Sequence, residues 1–154
     1  MTARNNVIEA DDRTLVIERT FDAPVELLWK MWTEQEHIAK WSCPRGFTIP
    51  EGSGDLRVGG QWRCCMVAPD GAKLWLGGVY REIVPLKRLV MTHVWDDETG
   101  KPGHETIVTV HFEAQGQRTR ITLHQTGFDS ATSRDGHTGG WSECLDKLAE
   151  LLVA

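Results

Sequence analysis

Between residues 47 and 126 the chain reads as six consecutive strand-length segments with a turn signal in every gap, and one amphipathic segment follows them. The segments are 47–55, 61–67, 73–83, 88–95, 105–114 and 118–126, each carrying the alternation and β-branched or aromatic content of a strand. The breaks at 57–60, Pro69-Asp70-Gly71, Val84-Pro85-Leu86, 97–103 and Gln115-Gly116 hold residues suited to tight turns. Gaps this short join antiparallel neighbours, so the segments form a meander. After it, Trp141, Leu145, Leu148 and Leu152 fall at i, i+4, i+7 and i+11, with Cys144 and Leu151 on the same stripe. One apolar helix stripe and one apolar face per strand must cover each other.

Ahead of the meander, residues 13–21 alternate Leu15, Ile17 and Arg19 against Val16, Glu18 and Thr20, a strand pattern. Asp22-Ala23-Pro24 then reads as a helix start, capped by Asp22 or Ala23, with Val25, Leu28, Trp29 and Trp32 at helical spacing. A second short helix over 34–40 carries Ile38 and Trp41 inward. The expected fold is α+β: strand, two short helices, six strands, helix. A curved antiparallel sheet of about seven strands wraps around the long C-terminal helix. Residues 1–12 read as a polar N-terminal tail and 13–154 as a single domain.

Composition closes several function classes. Net charge is −5 with no cluster of lysine and arginine, so nucleic acid has little to hold on to. No apolar run approaches the ~18 residues of a membrane span, and residues 1–12 lack the basic start and apolar centre of a signal peptide. The chain therefore reads as cytoplasmic. Cys43, Cys64, Cys65 and Cys144 include no C-x-x-C pair and read as reduced, small core hydrophobes rather than metal ligands. No cofactor or metal is implied, and no G-x-S-x-G, H-E-x-x-H, P-loop or Rossmann fingerprint is present.

The chain carries seven tryptophans, spread from Trp29 to Trp141. Strand alternation gathers an aromatic and sulfur-rich inner face: Trp62, Cys64 and Met66 on one segment, and Leu89, Met91, His93 and Trp95 on another. Indole and thioether make an adaptable wall for flat apolar guests. Two readings stay open: rings that fill a core, or rings that line a cavity. The candidate ligand-binding set is Trp41, Trp62, Cys64, Met66, Trp75, Met91, His93, Trp95, Trp141 and Leu145. His93 is the titratable side chain placed among inward apolar positions, either as a polar contact or general acid/base, or as a histidine satisfied within the core. His111 and His124 read as outward and solvated, while His37 and His137 have no legible role.

Two segments carry alternatives. Gly136, Gly139 and Gly140 crowd the start of the last helix, where each costs ~1 kcal/mol relative to alanine. They mark either a close approach of backbone at a cavity mouth or, preferably, a loop with the helix beginning only near Gly140. Residues 96–103 are either a mobile lid or a plain hairpin connection.

Several spaced motifs carry a family resemblance: Phe21-Asp22-Ala23-Pro24 with Leu28-Trp29, then Asp55-Leu56-Arg57-Val58-Gly59-Gly60-Gln61-Trp62-Arg63, Pro69-Asp70-Gly71, Gly78-Val79-Tyr80-Arg81-Glu82-Ile83, Arg88-Leu89-Val90-Met91-Thr92, and Gly140-Trp141 before a leucine-rich helix. Over residues 13–153 the chain resembles the START-like superfamily and, within it, the branch named for the activator of the heat-shock protein ATPase. The resemblance implies a helix-grip fold with a cavity that in relatives holds lipids, sterols, polyketides or plant hormones. It also implies cyclase- or hydrolase-type enzymes as a second class and a chaperone as a possible partner. The chaperone reading ranks lower, because the eukaryotic activator makes much of its contact through a separate N-terminal domain. A homodimer is a further expectation for a small protein of this kind.

Overall fold

The computed structural model describes residues 6–153. Its elements are β1 (Asn6–Asp11), β2 (Thr14–Phe21), α1 (Val25–Thr33), α2 (Gln35–Trp41), β3 (Thr48–Gly54), β4 (Gln61–Val67), β5 (Lys73–Val84), β6 (Arg88–Asp96), β7 (Pro102–Gln115), β8 (Arg118–Thr126) and α3 (Ala131–Leu152). The strands form one antiparallel sheet in the order β1-β2-β8-β7-β6-β5-β4-β3. Strands β3 to β8 are the meander, β2 joins its last strand, and α3 lies across the face that the curved sheet presents. This is the helix-grip α+β arrangement expected above.

The eighth strand corrects the reading of residues 1–12 as a tail. Val7 pairs with Ile17 and Ile8 with Val16, and the turn is closed by the Arg13 N–H donating to Asp11 Oδ1 at 2.8 Å. Val7 and Ile8 are exposed, so no burial rhythm announces the strand. The free edge of β2 supplies the ladder that holds it. Residues 1–5 of that expected tail, and Ala154, lie outside the described residues.

The core follows from alternation. Leu15, Ile17 and Phe21 of β2, Val108 and Val110 of β7, and Ile121 and Leu123 of β8 meet Cys144, Leu145 and Leu148 of α3. Arg19 shares the inward face of β2 at 4% exposure, and its Nη1 donates to Asp146 of α3 at 2.6 Å. The sheet and helix are thus joined by an ion pair beside the apolar contact.

Two helix starts differ from expectation. Pro24, rather than Asp22 or Ala23, occupies the cap of α1: its extended backbone leaves its carbonyl free to accept from Leu27 and Leu28 N–H at 3.0 and 3.2 Å. Helix α3 begins at Ala131, not near Gly140. The Ser130 side chain accepts the Ser133 N–H at 3.0 Å, and this cap starts the helix upstream of all three glycines.

The 96–103 segment is a hairpin connection. The Asp97 carboxylate accepts the Thr99 hydroxyl (2.6 Å) and the Thr99 and Lys101 N–H groups (2.8 and 3.0 Å), while Gly100 takes φ +82°. Those hydrogen bonds, the Thr99 hydroxyl first, hold the Asp97 carboxyl below the usual carboxylate range.

Candidate functional site

A cavity of about 440 Å³ opens between the sheet and the first half of α3. Trp32 and Trp41 from α1 and α2 close one side. The floor comes from alternate residues of successive strands: Trp62, Cys64 and Met66 of β4, Leu74, Leu76 and Tyr80 of β5, Met91, His93 and Trp95 of β6, and Val108 of β7. The roof is the α3 face that carries Gly136, His137, Gly140, Trp141 and Cys144.

The roof is bare where the glycines sit. Gly136 and Gly140 are four residues apart on one helical face. Among the described residues, no atom beyond their helix and chain neighbours lies within 4 Å of a Cβ built on Gly136, and only Pro44, at 3.9 Å, approaches one on Gly140. The backbone therefore borders the cavity directly, which was the less favoured of the two readings of these residues.

Most of the rings are held by their own N–H groups. Trp41 Nε1 donates to Met31 O (2.9 Å), Trp62 Nε1 to Thr92 O (3.3 Å), Trp95 Nε1 to His137 Nε2 (3.0 Å) and Trp141 Nε1 to Gln125 Oε1 (2.8 Å). Gly78 makes the Trp62 contact possible, because a Cβ there would stand 2.7 Å from that indole nitrogen. Trp32 stacks on Trp141 at 5.9 Å between ring centroids, and its Nε1 is buried without a partner among the described residues. Four anchored indoles make a preformed wall rather than a collapsible one.

A buried polar chain runs behind that wall. Gln125, wholly buried, accepts from Trp141 and donates through Nε2 to Thr106 Oγ1 at 2.8 Å, and Thr106 donates to His93 O at 3.2 Å. These bonds fix the roof to β8, β7 and β6 in turn.

His93 is 7% exposed, and its Nδ1 has no partner among the described residues. Burial first, and the nearby His137 second, push its pKa down to about 3, so the ring is neutral at ordinary pH. His137 accepts from Trp95 at Nε2 and therefore carries its proton on Nδ1, which donates to Ser133 O at 2.8 Å. Together with Trp95 and Ser133 these two histidines also border a second hollow of about 210 Å³, whose other walls include Asp96, Asp97, His104 and Asp129.

Burial likewise pushes the Cys64 and Cys144 thiols up to about 12 and raises the Tyr80 phenol. Neither cavity thiol is a thiolate nucleophile in this state. All four cysteines are free.

Of the residues expected at the site, the structure brings Trp41, Trp62, Cys64, Met66, Met91, His93, Trp95 and Trp141 around the cavity. Two expectations are corrected. Trp75 lies on the other face of β5 from Leu74 and Leu76, with the Arg63 guanidinium 5.1 Å over its ring, and it does not border the cavity. Leu145, at 1% exposure, is part of the core behind it. His111 and His124 do face outward, but they are half-buried and pack edge to face at 5.5 Å rather than being solvated. Tyr80, Gln125 and Thr106 were not singled out from the sequence, although Tyr80 and Gln125 continue inward alternations begun by Leu74 and Leu76 and by Ile121 and Leu123. The i, i+4 spacing of Gly136 and Gly140 was the available signal for the roof.

Among the described residues one group, Glu34, Glu36 and His37, places three metal-ligand atoms within 4.8 Å of one another. His37 Nε2 lies 3.5 Å from Glu34 and 3.9 Å from Glu36 on a largely solvated helix junction, an ordinary surface contact between neighbouring side chains.

Residues 22–153 match the family described as activator of Hsp90 ATPase homolog 1-like protein. Solved structures agree. A Chromobacterium violaceum protein is 28% identical with a TM-score of 0.84, covering 92% of this chain and 98% of its own. An Arthrobacter aurescens protein is 26% identical with a TM-score of 0.85, covering 96% and 91%. The AHSA1 protein of Silicibacter pomeroyi is 26% identical with a TM-score of 0.83, covering 91% and 97%. No curated protein matches the chain significantly. The chain belongs to the activator of Hsp90 ATPase homolog 1-like family, within the START-like superfamily.

Proposed function

We propose that this member of the family binds a small, largely apolar molecule, aromatic or lipid-like, in the cavity between its sheet and its C-terminal helix. One observation carries the reading: five of the seven tryptophans, Trp32, Trp41, Trp62, Trp95 and Trp141, border about 440 Å³ of space, within the roughly 300–1,000 Å³ typical of small-molecule sites. An apolar hollow of that size is costly to keep, since filling it would add contacts at every wall. Locked indole N–H groups and two glycines on the roof maintain it. The activity in the family's description would be exerted through an outer surface, whereas the supporting observation here is internal.

Titration with naphthalene, followed by tryptophan emission, tests the proposal. A saturable change is expected, because ring-to-ring contact with Trp62 or Trp141 alters their surroundings. Naphthalene and a panel of larger apolar aromatics giving no saturable response would reject it. The whole chain is to be used, with native mass spectrometry of freshly purified protein as the check for a co-purifying small mass.

A further inference from the structure

Resting on that reading, we infer that the guest is uncharged and carries a hydrogen-bonding oxygen of the ketone or phenol kind, recognised by Tyr80, and that the carboxylate of the same skeleton is rejected.

The charge inventory of the walls comes first. Among the described residues Arg63 is the only bordering residue with a formal charge, and its guanidinium is bonded to Asp96 Oδ2 at 2.5 Å while covering Trp75 on the opposite face. Lys147, the cation of α3 beside this region, donates to Cys43 O at 2.9 Å and does not border the cavity. A carboxylate or phosphate entering would lose water and meet no free cation, an arrangement that folded proteins avoid. Of the other ionisable walls, His93, Cys64, Cys144 and Tyr80 are held neutral by burial, and both ring nitrogens of His137 are engaged, Nε2 by Trp95 and Nδ1 by Ser133 O. A cationic guest finds no carboxylate there either.

The polar inventory comes second. Tyr80 is 3% exposed, lies on the cavity face of β5, and makes no side-chain hydrogen bond among the described residues. Trp32 Nε1 and His93 Nδ1, on two further residues of the cavity wall, also have no partner among the described residues, but both atoms are covered by neighbouring protein and do not face the space. Buried hydroxyl and ring N–H groups are ordinarily satisfied. The Tyr80 hydroxyl, left open at the wall of an apolar space, describes a site whose polar partner arrives with the guest, and since a phenol can donate, an acceptor oxygen answers it.

Matched probes separate this inference from the one beneath it. Naphthalene, 2-acetylnaphthalene and 2-naphthoate share a skeleton and differ in the oxygen and its charge. At pH 7 the ketone is expected to bind at least roughly tenfold more tightly than the carboxylate, which must be stripped of its water. Tyr80→Phe is expected to weaken the ketone several-fold relative to naphthalene measured on the same variant. Equal affinity for ketone and carboxylate, or a ketone affinity indifferent to Tyr80→Phe, overturns the inference while apolar binding stands. Failure of all three probes overturns the binding reading itself. If the Tyr80 variant does not fold, the ketone-to-carboxylate ratio of the unaltered protein decides.

Discussion

Trp95 of β6 donates its indole N–H to His137 Nε2 of α3 at 3.0 Å, and this bond ties the sheet to the helix along the partition between the two hollows. It also fixes the neutral tautomer of His137, whose other nitrogen is held by Ser133 O. Replacing His137 by leucine keeps the volume but removes the acceptor, leaving a part-buried indole N–H unmatched. A loss of about 1–2 kcal/mol in urea unfolding is expected, with a red shift of tryptophan emission as Trp95 loosens.

The buried chain Trp141–Gln125–Thr106 gives a second measurement. Gln125→Leu is close to isosteric but deprives Trp141 of its acceptor and Thr106 of the donor to its hydroxyl oxygen. Stability should fall by about 1–3 kcal/mol in denaturant unfolding, since groups desolvated in the native state lose their bonds. An unchanged midpoint would mean that water reaches Trp141 and the roof is not sealed.

His93 should impose a pH dependence on stability. Its folded pKa lies far below the unfolded value of 6.5, so protons favour the unfolded chain. Its contribution is complete above pH 6.5 and shrinks as pH falls from there toward about 3, with a limiting slope near 1.4 kcal/mol per pH unit. Thermal unfolding between pH 6.5 and 5, above most carboxylate titrations, should decline more steeply in the native protein than in His93→Phe. The same variant separates function classes: a pure binder keeps or gains apolar affinity, whereas an enzyme that uses the ring loses turnover.

The roof glycines oppose stability to capacity. Nothing outside the helix crowds a Cβ at Gly136, so Gly136→Ala should raise stability by up to ~1 kcal/mol through helix propensity, visible as a melting point higher by about 2–4 °C. Gly136→Leu should project into the cavity and cut naphthalene affinity. Stabilisation with unimpaired uptake would show that the guest does not approach this part of the helix.

Met91, half-buried on the floor, tests occupancy from the other side. Met91→Trp should abolish saturable uptake while circular dichroism and cooperative unfolding persist, with a stability change within about 1–3 kcal/mol.

Much of the architecture was legible because it rests on local periodicity. Alternation placed Trp62, Cys64, Met66, Met91, His93 and Trp95 on one face, and the spacing from Trp141 to Leu152 placed the gripping stripe. Strand β1 was not legible, since two exposed apolar residues in a polar segment have no rhythm to read and the ladder belongs to β2. Trp75 was misplaced because its size drew more weight than its parity, which sets it opposite Leu74 and Leu76. The early start of α3 was hidden by three glycines, whose low propensity is outweighed by the Ser130 cap and the packing of the helix.

Sequence alone determined the order of elements from β2 onward, the wrapping of the sheet around the last helix and the aromatic, sulfur-rich character of the inner face, because periods of two and 3.6 are written residue by residue. Tertiary structure decided that those rings border an open space as well as packing on one another. The separation of helix and sheet depends on contacts between distant segments: indole N–H groups anchored to Met31, Thr92, Gln125 and His137, and glycine backbone where side chains would otherwise close the gap.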